Sequence, residues 1–126
     1  MQTSNDIRWS ESRTEPDILS EHCNGDVVEL ELFAGRELFQ FQGHFPGEPV
    51  LPGVAQIDWA ARLARRYFGF DGEFQKMGQI KFAKLILADR KLRLRLEWQR
   101  EKGRLTFLFS DDGELCSSGY FVLADR

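Results

Sequence analysis

His44 and Asp58 lie fourteen positions apart in a chain of 126 residues. A histidine and a carboxylate are side chains that general acid–base catalysis uses near neutral pH. Between them, residues 43–53 hold three of the four prolines and three glycines. Such a segment is neither a helix interior nor a central strand, so it must be an ordered loop. Stiffened by Pro46, Pro49 and Pro52, it loses little entropy on folding, which suits the fixed placement of a reactive side chain. The loop leads into a helix at Gly53–Val54, whose first N–H groups can bind a carbonyl oxygen as it gains negative charge. Base, acid and oxyanion donor thus fit within one fifteen-residue stretch. Plainer alternatives stand beside this. His44 alone reads as a packed or exposed ring, and Asp58 as a helix-start carboxylate favoured by the helix dipole or paired with Arg62 one turn on.

The element that must carry Asp58 is the clearest in the sequence. Residues 54–68 contain no Gly or Pro, are rich in Ala, Leu and Arg, and stop at Gly69, a natural residue just past a helix end. Pro52 suits the first turn, while Arg65 and Arg66 oppose the negative end of the helix. Val54, Ile57, Ala61, Ala64 and Phe68 follow helical spacing and predict the apolar face. Asp58 falls on that face, where burial would raise its pKa and let it hold a proton. Elsewhere period-two alternation predicts strands at Val27–Phe33, Leu38–Gln42, about Gln79–Leu87, Lys91–Trp98, Leu105–Phe109 and Leu115–Leu123. Turns are expected around Gly35, near Asp89, at Glu101–Gly103 and, as a hairpin, at Asp112–Gly113. Residues 1–15 read as a polar N-terminal arm and 16–126 as a single domain, one helix laid on an antiparallel sheet of five or six strands.

Composition narrows the function. At 14.6 kDa with 42% hydrophobic residues there is room for one domain with a real core. Seventeen basic against twenty acidic residues, a formal charge of -3, lack the basic excess of a nucleic-acid binder. Cys23 and Cys116 have no metal-ligand spacing and read as free thiols in a reducing cytosol. Without an apolar leader or a membrane span, a cytoplasmic location is expected. His22 reads as a surface loop residue.

The run His44-Phe-Pro-Gly-Glu-Pro-Val-Leu-Pro-Gly-Val-Ala-Gln-Ile-Asp58 resembles the signature of 3-hydroxyacyl-acyl-carrier-protein dehydratases of the hotdog superfamily. It shares the HFPG, a second PG and an acidic residue at the same spacing. The resemblance is strongest over 43–60 and extends across about 24–125. The wording PGVAQIDWA looks most like the small dehydratases associated with aryl polyene assembly, which act in a fatty-acid-like pathway.

The resemblance implies an α+β hotdog fold, one long central helix wrapped by a curved antiparallel sheet, paired into a homodimer with shared active sites. His44 of one chain would meet Asp58 of the other and remove the C2 proton of a 3-hydroxyacyl thioester. Asp58 would protonate or hold the departing hydroxyl, and the Gly53 N–H would bind the thioester carbonyl, giving a trans-2-enoyl thioester. The partner implied is an acyl carrier protein, whose phosphopantetheine arrives with the substrate; no other cofactor is expected. Arg65, Arg66, Lys76, Lys81 and Lys84 are candidates for a basic rim facing it, although each taken singly reads as solvated charge. Two residues depart from the family pattern: many members carry Glu at the position of Asp58, and a Gln at that of Arg62. The Asp branch includes enzymes that also isomerise the enoyl bond. A hotdog thioesterase, with Asp58 activating water, and a non-catalytic acyl-binding or heterodimer subunit are the other readings.

Overall fold

The computed structural model describes residues 14–41 and 49–123. Six strands form one antiparallel sheet: β1 (Asp17–Asn24), β2 (Val27–Ala34), β3 (Phe74–Phe82), β4 (Arg90–Gln99), β5 (Arg104–Asp111) and β6 (Glu114–Leu123), in the order β1-β2-β4-β5-β6-β3. Among the described residues a single α-helix, α1 (Gly53–Phe68), packs on the inner face. The α+β architecture is as expected, with one qualification. At 16 residues the helix is of ordinary length rather than long. It is bounded as the sequence predicts, by Pro52 in extended backbone before it and by Gly69, whose φ of 72° ends it in the left-handed region.

The alternating strands pair as their patterns require. Val28, Leu30 and Leu32 of β2 oppose Leu96, Leu94 and Leu92 of β4, all facing the core. On the solvent face Glu29 opposes Arg95 and Glu31 opposes Arg93. Asp112 and Gly113 both take positive φ, 53° and 84°, the two-residue turn that matches the twist of a β-hairpin. Leu105, Phe107, Phe109 and Phe121 complete the apolar floor beneath Trp59, Ala60, Leu63 and Ala64 of the helix.

Three expectations are corrected. Asp17–Asn24, left without an element, is strand β1, almost wholly exposed and lying at the sheet edge; His22 is therefore a strand residue. Residues Phe39–Phe41 form a 3-10 turn rather than a strand, because Leu38 and Phe41, three apart, both go into the core while Phe39 faces out. Third, the strand expected over 79–87 starts earlier, at Phe74, and ends at Phe82. Register shifts at Phe74/Lys76 and Gly78/Lys81 interrupt its alternation, with Gln79 at φ 51°. Residues 83–88 continue as a tie: Leu51 N–H donates to Ile86 O and Ala88 N–H to Pro49 O. That tie fixes the end of the proline-rich loop just before α1.

Candidate active site

The helix carries two apolar stripes, and the structure separates them. Ala55, Gln56, Trp59, Ala60, Leu63 and Ala64 are buried against the sheet. Val54, Ile57 and Ala61, predicted as the core face, instead line an open groove, and Val54 is 77% exposed. The opposite wall is β3, with Phe74 and Met77, and Phe121 of β6 forms the floor. The groove has a volume of about 510 Å³ and is mainly apolar.

Asp58 stands on the helix wall of this groove. Its side chain is 46% exposed, so the expected apolar burial is absent in the single chain. The reason is local: Arg62, one turn on, donates from Nε to Asp58 Oδ2 at 3.0 Å, and a carboxylate with a charged partner at the surface has no need of the interior. Arg62 reaches Glu15 as well, at 3.5 Å, and Arg66 donates to Glu15 at 2.7 Å. The Arg66 hydrogen bond is the main cause holding the Glu15 carboxyl below its ordinary value. Sequence reasoning missed Glu15 because it lies 43 positions from Asp58 in a polar stretch with no periodicity.

Gly53 opens α1, and its amide and that of Val54 precede the first residues bonded to Pro52 O, Ala55 and Gln56. A Cβ at position 53 would come within 2.7 Å of the Phe82 ring, so glycine here lets β3 close over the helix start. Phe82 is itself half exposed, and Leu85, three residues on, is exposed as well. His44 lies outside the described residues. The chain nonetheless approaches its segment from both sides at fixed points: the 3-10 turn at Phe39–Phe41 and the tie at Pro49–Leu51.

The five candidate rim cations do not form one free patch. Arg65 donates to Gly72 O at 2.7 Å and lies over the Phe74 ring, Arg66 pairs with Glu15, and Lys84 pairs with Glu114. Lys76 lines the groove. Cys23 is exposed, and Cys116 is buried with its thiol pushed up by desolvation. Among the described residues no cluster of His, Cys, Asp and Glu could hold a metal ion. Among the described residues no helix is long and apolar enough to cross a membrane.

Comparison with known proteins places this geometry in a family. The model of the ApeI-like family, described as ApeI dehydratase, matches residues 20–120. The dehydratase heterocomplex ApeI:P from Xenorhabdus doucetiae contains a chain similar to this one at 29% identity. That match has a TM-score of 0.82 and covers 88% of this chain and 99% of that one. An uncharacterized protein from Erwinia carotovora subsp. atroseptica is 37% identical, with a TM-score of 0.76 over 86% of this chain and 95% of that one. The dehydratase domain from the CurF module of curacin polyketide synthase shares the fold at 10% identity and a TM-score of 0.67, over 90% of this chain and 45% of that one. With its single helix on a six-stranded antiparallel sheet and its family match over residues 20–120, the chain belongs to the ApeI-like hotdog dehydratases.

Proposed function

We propose that the chain dehydrates a 3-hydroxyacyl thioester, delivered on the phosphopantetheine of an acyl carrier protein, to the trans-2-enoyl thioester in a fatty-acid-like or aryl polyene pathway. The observation that carries this is the position of Asp58, on the wall of an apolar groove that runs beside β3 next to the helix N-terminus. An acyl chain fits such a groove by its apolar lining, while the first-turn amides at Gly53 offer donors to a thioester oxygen. In the reaction, neutral His44 takes the C2 proton, the C2–C3 double bond forms, and the C3–O bond breaks as the departing hydroxyl takes a proton from Asp58 or from the His44 imidazolium and leaves as water. Asp58 stands at the departing hydroxyl. General acid–base groups of this kind contribute about 10²–10⁴-fold each.

The groove is half a site. Its lining includes the exposed Val54 and Met77, and Met77 and the exposed Phe82 belong to β3, an edge strand. A second hotdog chain paired there would cover them and bring its own His44 loop to Asp58. The homodimer is the simplest such arrangement, and the heterocomplex formed by a related dehydratase makes a different hotdog chain the second reading.

The test incubates the pure protein with a 3-hydroxyacyl carrier protein and follows loss of one water from the acyl-pantetheine by mass spectrometry. Wild type should turn over; His44→Ala and Asp58→Asn should each lose at least about 100-fold. Release of the free acid would establish a thioesterase instead. Binding without turnover would point to a missing partner chain.

A further inference from the structure

Asp58 is one end of a row of charges. Along one side of α1, Asp58, Arg62 and Arg66 follow one another at four-residue spacing, and Glu15, from the segment before β1, lies against both arginines. Arg62 is thus shared: Nε bonds Asp58 at 3.0 Å and its terminal nitrogen reaches Glu15 at 3.5 Å. The segment that supplies Glu15 is itself fastened. The Thr14 carbonyl accepts from Trp59 Nε1 at 2.9 Å and from Gln40 Nε2 at 2.7 Å. Trp59 follows Asp58 in the chain, and Gln40 precedes His44 by four positions. One strap therefore touches both the helix that carries Asp58 and the 3-10 turn at Phe39–Phe41.

An exposed pair four residues apart on a helix adds little stability, so stability alone does not account for this network. A guanidinium has a planar fork that fixes a carboxylate in orientation as well as in charge. Resting on the dehydratase reading above, we propose that Arg62 is a positioning residue: anchored by Glu15, it holds Asp58 as an oriented carboxylate that accepts a hydrogen bond from the substrate's 3-hydroxyl. Asp58 then fixes the C3–O bond rather than supplying a proton. The proton that His44 takes from C2 is the one returned to the departing hydroxyl. The C2–H electron pair becomes the second C2–C3 bond, the C3–O pair leaves with oxygen, and water departs with no net change in either side chain. The charged groups around Asp58 are Arg62 on its own helix, Glu15 beyond Arg62, and Lys76 of β3 on the same groove. The Glu15 carboxyl is held below its ordinary value by Arg66 and Arg62, so the anchor remains anionic at neutral pH.

The test compares crystal structures of wild type and Arg62→Gln for the direction of the Asp58 carboxylate, and kcat and KM of wild type, Arg62→Gln and Arg62→Lys on a 3-hydroxyacyl carrier protein. Arg62→Gln should turn the Asp58 carboxylate away from its wild-type direction and lower kcat more than it changes KM. Arg62→Lys should recover only part of kcat, because an ammonium lacks the fork. Glu15→Gln should lower kcat several-fold at an unchanged melting temperature. An Asp58 carboxylate unmoved in Arg62→Gln overturns the proposal, as does wild-type kcat in that variant or in Glu15→Gln. If wild type itself fails to dehydrate, the dehydratase reading falls, and the Asp58 orientation still decides for or against the clamp.

Discussion

Gly53 and Phe82 are coupled through space that only one of them can occupy. A methyl at 53 would meet the Phe82 ring at 2.7 Å, so Gly53→Ala should cost about 1–2 kcal/mol by overpacking, read in chemical denaturation. The Gly53→Ala/Phe82→Ala double variant should recover most of that loss; additive penalties would show that the ring is not the obstacle. The two thiols should separate as cleanly. Cys23 is exposed, whereas Cys116 is buried and desolvation pushes its pKa up, keeping it a protonated thiol at neutral pH. A disulfide reagent should modify one thiol in the folded protein and the second only after unfolding; two fast equivalents would contradict this placement. At this scale spacing and loop chemistry in the sequence marked His44, Gly53 and Asp58 as candidates, and the structure describes the latter two. It did not reveal Glu15 as the anchor of Arg62, because that contact joins two segments with no shared periodicity.

At the scale of elements, legibility followed how regularly each element alternates. β2, β4 and β5 face the core with every second residue, and their patterns located them within a residue or two. β3 packs Phe74 and Ile80 against the core while Met77 and Phe82 stay exposed, and its register shifts twice. No period-two reading can find such a strand at its true start. β1 is nearly all exposed, so it has no apolar face to detect. The start of β4 is clipped to the end of β5 by Arg90, which donates twice to the Asp111 carboxylate at 2.9 Å. That hydrogen-bonded guanidinium is the first cause holding Asp111 below its ordinary value of 3.8. A depressed carboxyl contributes stability above its unfolded pKa and loses it as pH falls through the folded one. The melting temperature of wild type should therefore drop below about pH 4, and Asp111→Asn should flatten that part of the curve. An unchanged acid slope would remove Asp111 from the account.

For the whole molecule the decisive feature is what the single chain leaves open. The groove between α1 and β3, with Val54 and Met77 exposed on its walls, is a surface that a soluble domain normally covers. Pairing of two chains along β3 would cover it. Light scattering should then give twice the 14.6 kDa chain mass. Met77→Lys puts a charge on the edge strand where natural proteins block such pairing; it should yield a folded monomer without dehydratase turnover. Full activity in a monomer of that variant would show that one chain suffices.

The sequence by itself determined the helix and its limits, since Pro52 and Gly69 act through local backbone geometry. It also determined the core strands, whose alternation records a buried face, and the fourteen-position spacing of His44 and Asp58. Only the tertiary structure decided which stripe of an alanine-rich helix meets its own sheet and which faces an open groove. It also decided that β3 lies beside β6 at the far edge, and that Asp58 meets Arg62 and, through it, Glu15. Those outcomes depend on contacts between distant segments, and a local period carries no record of which partner fills the space beside it.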